Sequence, residues 1–399
     1  MKKILAINSG SSSFKYKLFS YPDEKVIASG MADRVGLDNS VFSLELADGT
    51  KFEEEKDIPT QEQAVQKLLD WLKQHNVIED FSEIAGVGHR VVAGGEEFKD
   101  SALIDEHNIQ KLYDLSEYAP LHNIPEADGI RAFMKILPGV PEVAVFDSSF
   151  HQTLDPVQYL YSVSYDYYEK YRARKYGAHG TSVRYVTQRA AKLLNKPLED
   201  MKMIVCHLGS GASITAVKDG KSFDTSMGFS PVAGLTMSTR SGDIDPSVIQ
   251  YIMMKSGISD FDDAIDILNH KSGLLGISGV SPDMRDIIAA EEKGNKRAKL
   301  AREIFINRLV RYIGSYFMEM GGLDVIVFTA GIGEHNSAIR QAVMDQMRII
   351  GLIPDEQANS TNGEKIITKP DSKVIGMIIP TDEELMIERD VVRLAHLDK

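Results

Sequence analysis

An apolar strand-like run that breaks at a Gly/Ser turn and resumes as an alternating strand occurs twice in this chain. The first run, Ile4-Leu5-Ala6-Ile7, passes through Asn8-Ser9-Gly10-Ser11-Ser12-Ser13 into Phe14-Lys15-Tyr16-Lys17-Leu18. The second, Ile204-Val205-Cys206-His207-Leu208, passes through Gly209-Ser210-Gly211 into Ala212-Ser213-Ile214-Thr215-Ala216-Val217 and ends at Asp219-Gly220, a hairpin-turn dipeptide. The two units begin half a chain length apart. A chain of 399 residues is long enough for two domains, so the offset reads as a duplicated two-domain fold. Further strand-like runs at 143–146 and 325–328 alternate with amphipathic helical patterns. One spans 61–77, with Val65, Leu68, Leu69 and Leu72 on one face and Thr60 with Gln63 as a capping box; another runs from about 298 to 320 and stops at Gly321-Gly322. The mixture predicts an α/β class, and with no low-complexity linker the domain boundary is a short hinge.

A turn rich in Gly and Ser presents backbone N–H groups and hydroxyls to an anion without side chains in the way. A single turn of this kind is often only a turn; two related ones, the first followed by Lys15, point to phosphate. The usual P-loop is absent: Gly220-Lys221-Ser222 supplies its tail, but Thr215 stands where its first glycine belongs and the context is a hairpin. A third candidate follows the run at 325–330. Gly331-Ile332-Gly333-Glu334 reads as a glycine turn before a helix starting near Ser337, which would aim helix N–H groups at a ligand.

The formal net charge of −13 disfavours a surface built for nucleic-acid phosphates, yet leaves room for local Arg and Lys to dominate one cleft. The single cysteine, Cys206, excludes an intramolecular disulfide and a cysteine zinc site, and its apolar surroundings read as core. The apolar stretch after Met1-Lys2-Lys3 is too short for a signal peptide, and no run reaches membrane-span length. The expectation is a cytoplasmic protein with no membrane or nucleic-acid partner.

The motifs as a set resemble the acetate kinase family, collinearly over essentially the whole chain. They include Asn8-Ser9-Gly10-Ser11-Ser12-Ser13, His89-Arg90-Val91-Val92, Ala119-Pro120-Leu121-His122-Asn123 and Phe146-Asp147. Tyr176-Gly177-Ala178-His179-Gly180-Thr181-Ser182, His207-Leu208-Gly209, Ser238-Thr239-Arg240-Ser241-Gly242, the 328–334 segment and Pro380-Thr381-Asp382-Glu383-Glu384-Leu385 complete it. The resemblance implies two duplicated actin-like (ribonuclease H-like) domains, with mixed sheets flanked by helices, around a central cleft. It places an N-terminal carboxylate/phosphate-side domain at 1–150, completed by a C-terminal helix at 384–399, and a nucleotide-binding and dimerisation domain at 151–383. It implies reversible phosphoryl transfer between ATP and acetate, giving acetyl phosphate and ADP, by a homodimer.

The roles it carries over fit phosphoryl transfer, which needs charge neutralisation and positioning more than covalent chemistry. Arg90 and Arg240 would take the carboxylate and the transferring phosphoryl, His179 would donate to the phosphoryl oxygens, and Asp147 would position the carboxylate or its attack or serve in the metal shell. A deprotonated acetate needs no general base. Val92, Leu121, Pro231 and Ala178 would line the substrate pocket. Lys15, Ser12, His207, Leu208, Gly209, Ser210 and Gly211 would meet ATP, with Asp283, Met284, Arg285, Gly331, Ile332, Gly333, Glu334 and His335 on its adenosine side. Asn8 and Glu383 would organise Mg²⁺ (or Mn²⁺), partly through water. Thr381 with Glu384 reads as a capping box, which leaves Glu383 free for that duty.

The chain departs from the family pattern at Ala93, Ser210, Ser148-Ser149, Val183 and Asp382. Ala178 stands where an aromatic residue is expected, so the pocket is expected to accept propionate as well as acetate. A propionate- or butyrate-preferring kinase is the nearest rival. A sugar kinase would need a carboxylate base and a sugar-binding polar cluster, and a non-catalytic actin-like switch would not need Arg90, His179 and Arg240 together.

Overall fold

The computed structural model describes residues 2–10, 13–117 and 120–398, with backbone only at 120–122. It divides into two compact units, Met1–Ser149 with Asp382–Lys399, and Phe150–Thr381.

The first unit carries an eight-stranded sheet in the order β5-β4-β3-β2-β1-β6-β8-β7. Its strands are β1 (Lys2–Ser9), β2 (Ser13–Tyr21), β3 (Lys25–Asp33), β4 (Val41–Leu46), β5 (Lys51–Glu55), β6 (Ile84–Val91), β7 (Ala102–Ile104) and β8 (Glu142–Phe146). The second unit carries a six-stranded sheet, β11-β10-β9-β12-β14-β13. There the strands are β9 (Met203–Leu208), β10 (Ala212–Lys218), β11 (Lys221–Thr225), β12 (Val325–Thr329), β13 (Lys365–Ile366) and β14 (Ile375–Ile378).

The duplication read from the two turns is visible strand by strand. In each sheet the first strand pairs antiparallel with its hairpin partner (β1 with β2, β9 with β10). Each then pairs parallel with the strand on its other side (β1 with β6, β9 with β12), which in turn pairs parallel with the next (β6 with β8, β12 with β14). An antiparallel edge strand closes each set, β7 on β8 and β13 on β14. β4 and β5 are additions to the first sheet. Both sheets are mixed and flanked by helices, as the α/β reading requires.

The central strands β8, β9 and β12 are buried at every residue, which is why they read as continuous apolar runs rather than alternating ones. The helix Gln61–Gln74 buries Val65, Leu68, Leu69 and Leu72, and Thr60 caps it by accepting from the Gln63 amide. The helix Lys296–Met320 ends at Gly321, whose φ of 70° supplies the left-handed cap. Cys206 is fully buried, and burial raises its thiol pKa far above the usual range, so it is core and not a nucleophile. No helix among the described residues is long and apolar enough to cross a membrane.

Candidate functional site

In the first unit β6 lies between β1 and β8 and runs parallel to both, so the carboxyl ends of all three strands converge. This is where open α/β sheets place their chemistry. Asn8 sits near the end of β1, Arg90 near the end of β6, and Asp147 directly after β8. Arg90 Nε and Nη2 donate to Asp147 Oδ2 at 3.0 and 2.5 Å, and Nη1 donates to Asn8 Oδ1 at 3.4 Å. The Glu383 carboxylate stands 4.0 Å from Arg90 Nε. Desolvation works against the Arg90 charge, but Asp147, Glu383 and Glu126 outweigh it and raise the guanidinium pKa. Burial, reinforced by the Asp147 charge, pushes Glu383 up to about 7, with Arg90 opposing. One guanidinium therefore faces more carboxylate than it can neutralise.

Glu383 reaches this position by a different route from the expected one. Asp382, not Thr381, caps the helix Glu383–Leu394, accepting from the Leu385 amide at 3.3 Å. Thr381 instead exchanges a hydrogen bond with the Ser182 hydroxyl at 2.7 Å, and Glu384 pairs with Lys17 at 3.1 Å. Thr381 and Asp382 are both capping types, and Asp382, adjacent to the first helical residue, is the one that caps.

Two groups here were given no role from the sequence, Glu126 altogether and Asn123 beyond its place in the 119–123 motif. Glu126 and Asn123 rise from the helix Pro120–Ile136, buried to 2 % and 0 % exposure. Glu126 Oε2 accepts from the Val92 amide at 3.0 Å, and its Oε1 is buried without a hydrogen-bond partner among the described residues. Burial pushes its carboxyl up to about 8, with Arg90 opposing. Asn123 grips Ala93 from both sides, accepting from its N–H at 3.3 Å and donating to its carbonyl at 2.9 Å. An acid in register with buried Ala127, Ile130 and Phe133 was the available signal. Val92 is half-buried, Lys15 is exposed and pairs in register with Asn8, while Ser12 and the side chain of Leu121 lie outside the described residues.

In the second unit the Gly209–Gly211 turn joins β9 to β10. A β-carbon on Gly211 would lie 3.5 Å from both His179 Nε2 and Arg240 Nη1, so all three come together at the turn. His179, with a left-handed φ of 62°, precedes the helix Gly180–Leu194. Its Nδ1 is 2.9 Å from Ser213 Oγ, and its ring stacks on His207 at 4.0 Å between centroids. His207 bonds to Ser182 Oγ at 2.8 Å. Arg240 is half-buried, touches Met237 Sδ at 4.0 Å, and has no carboxylate partner among the described residues. Burial accordingly lowers its pKa.

Arg240 and the Gly209–Gly211 turn, though not His179, line a cavity of about 730 Å³ together with Asp283, Met284, Arg285, Gly331, Ile332 and His335. Most of the residues assigned to ATP are thus gathered in one place. Leu208 is buried in the core, Gly333 packs against the backbone of Phe328, and Glu334 accepts from the Thr381 amide at 3.2 Å; these three, with His207, lie behind the lining. The expected glycine turn is itself a short helix, Ala330–His335, and Asn336 then caps a second one at Ser337–Gln346. Ala330, at φ 62°, makes the sharp turn off the strand without a glycine there. Asn269, His270 and Pro282 line the cavity from segments whose sequence carries no phosphate motif. Ala178 is buried in the core and Pro231 is half-buried in the 226–240 loop.

A sequence profile described as Acetokinase family matches residues 3–389. The acetate kinase of Limosilactobacillus fermentum is 54 % identical over 395 residues, 99 % of both chains. That of Bacillus subtilis is 53 % identical over 396 residues, 99 % of this chain and all of its own. Among solved structures, an acetate kinase from Porphyromonas gingivalis superposes with a TM-score of 0.95 at 42 % identity, covering 99 % of this chain and 100 % of that one. A propionate kinase from Francisella tularensis superposes with a TM-score of 0.92 at 40 % identity and the same coverage.

Proposed function

Because the chain belongs to the acetokinase family, we propose that it moves a phosphoryl group reversibly between ATP and acetate, giving acetyl phosphate and ADP. It is a phosphotransferase with a carboxyl acceptor. The observation that carries the reading is Arg240, a half-buried guanidinium without a carboxylate partner among the described residues, beside His179 and the Gly209–Gly211 turn at a cavity of nucleotide size. A desolvated cation in that setting calls for an anion, and a transferring phosphoryl group supplies one.

Arg240 and His179 would neutralise the equatorial phosphoryl oxygens, and Arg90 the acetate carboxylate. Asp147 occupies two of the Arg90 N–H groups and so fixes the plane of the fork. Transfer is direct and in line, with no covalent enzyme intermediate and no general base. Asn8 and Glu383 would hold the divalent cation, Mg²⁺ or in its place Mn²⁺, which when bound neutralises charge on the phosphates. Their donors fit: hard oxygens, few in number, beside an acid surplus that a cation relieves.

We assign dimerisation to the helix Pro246–Ser256, none of whose residues is buried and which leaves Tyr251 at 58 % and Met254 at 68 % exposure. A second copy of the chain is the partner, and light scattering on a Tyr251→Ser, Met254→Ser variant tests it. A monomeric parent chain would rule it out. The test of the reaction is hydroxylamine trapping of acyl phosphate from Mg·ATP with acetate, propionate, butyrate or glycerol. Product with acetate is expected, and none from any carboxylate in a folded sample would overturn the reading. Ala178, with the 40 % identical propionate kinase, favours propionate as a second substrate. A propionate-to-acetate ratio of catalytic efficiencies below about one hundredth, roughly 2.7 kcal/mol, would remove it.

A further inference from the structure

Under the loop that carries Ala178 and His179 lies a fully buried imidazole that the reaction leaves unused. His151 Nε2 is 2.9 Å from the Ala178 carbonyl oxygen, and Nδ1 is 2.8 Å from Ser222 Oγ. A carbonyl oxygen only accepts, so Nε2 carries the proton. Burial lowers the pKa to about 4, with the bond to Ala178 opposing and the Lys175 charge adding to the drop. The ring is therefore neutral near pH 7, and Nδ1 accepts from the Ser222 hydroxyl. Thr153 Oγ1 donates to the Ser222 carbonyl at 2.8 Å, so the 151–153 segment is pinned to β11 at two points.

The loop above has little slack. Gly177 has φ 74°, and a β-carbon there would approach Thr225 Cγ2 to 2.6 Å and the His151 ring to 2.8 Å. The Tyr176 and Gly177 amides both donate to the Gly228 carbonyl, at 3.1 and 3.2 Å, which ties the loop to the segment leading to Pro231. His179 is left-handed, a conformation its β-carbon disfavours, so something outside the residue must hold it there. A peptide unit is planar, and fixing the Ala178 oxygen therefore fixes the His179 nitrogen on the same plane.

We propose that His151 is a positioning residue for the transfer: its Nε2–H anchors the Ala178 carbonyl and, through that peptide, sets where the His179 imidazole and the Ala178 methyl stand. The roles of those two residues rest on the acetate kinase reading. The anchoring itself does not. Ser222 sets the ring's tautomer and orientation, and the adenosine side of the cavity is untouched by this chain of bonds.

The experiment compares His151→Leu, His151→Gln and Ser222→Ala in the full chain. His151→Leu keeps volume but has no donor, whereas the Gln Nε2 reaches the same place as the His Nε2. Misplacement of a reacting group by about 1 Å costs on the order of a hundredfold. His151→Leu should therefore lower kcat about a hundredfold and raise KM for acetate, leaving KM for ATP unchanged. His151→Gln should recover most of the loss, and Ser222→Ala should fall between. Hydrogen exchange by mass spectrometry gives a readout independent of turnover: amides of 176–181 should exchange at least tenfold faster in His151→Leu, with β9 unchanged. Failure of His151→Leu to fold leaves Ser222→Ala to decide by the same measures. Unchanged kcat and loop exchange in a folded variant, or equal rises in both KM values, would overturn the proposal. A parent chain that makes no acyl phosphate would instead defeat the functional reading, while loop exchange still judges the anchor.

Discussion

Arg90 and Arg240 are the same side chain, both half-buried with Arg90 the more desolvated, and the two units treat them in opposite ways. Around Arg90 the first unit sets Asp147 at 2.5 Å, Glu383 at 4.0 Å and the buried Glu126, so its pKa rises. Around Arg240 the second unit sets a glycine turn, a histidine and a methionine sulfur, and its pKa falls. A buried cation without a partner costs free energy that an anionic ligand can offset, while an acid surplus is offset by a cation. The contrast teaches that identity alone does not assign an arginine's role. Surroundings make one unit ready for metal and carboxylate, and the other for phosphate.

The largest effect that can break this comparison is kinetic. Arg240→Gln should lower kcat about a thousandfold, since an arginine on a transferring phosphoryl group is worth roughly 10³ or more. Acyl phosphate trapping measures it, and a loss under tenfold would detach Arg240 from the reaction. Arg90→Gln should destabilise the chain by about 3 kcal/mol in denaturant titration, because it strands buried carboxylates without their cation. Mg²⁺ at a hundredfold excess over its Kd should add about 2.7 kcal/mol of stability, and Glu383→Gln should abolish most of that gain. Equal stabilisation of both proteins by Mg²⁺ would move the metal elsewhere.

The acid surplus of the first unit extends along the Glu383–Leu394 helix. Glu388 is 1 % exposed, neither of its oxygens has a hydrogen-bond partner among the described residues, and burial, with the Glu24 charge, raises its pKa to about 7 from 4.5. The folded state thus holds a proton that the unfolded chain releases. This contribution is full below pH 4.5 and lost as pH rises through 7. Stability should fall by roughly 2 kcal/mol across that window, and Glu388→Gln should flatten the profile. Parallel profiles for parent and variant would show that Glu388 is not the group responsible.

How much of this was legible depended on whether the signal was local. The two strand–turn–strand units, the all-apolar central strands and the Gly321 cap each declare themselves within a few residues, whereas the order of the strands in the two sheets is set by tertiary pairing. Arg90 and Arg240 were picked out by motif, yet their contrast was not readable, because Asp147, Glu383 and Glu126 come from three separate elements. Glu126 could have been flagged as an acid in register with Ala127, Ile130 and Phe133. Asn269 and His270 could not, since they reach the cavity only through tertiary packing. The helix start near Thr381 was misread because Thr381 and Asp382 are both capping residues, and the Ser182 hydroxyl that engages Thr381 is distant in sequence. The 331–334 segment was misread because glycines suggested a turn, whereas Ala330 takes the left-handed position itself.

The most direct test of the central claim is a small effect. In metal- and ligand-free thermal unfolding Arg240→Gln should melt higher than the parent, by the equivalent of about 1 kcal/mol of stability, because the variant removes a desolvated cation that no carboxylate among the described residues neutralises. A lower midpoint, like that expected of Arg90→Gln, would mean that Arg240 is already satisfied in the free protein and is not waiting for a phosphoryl group.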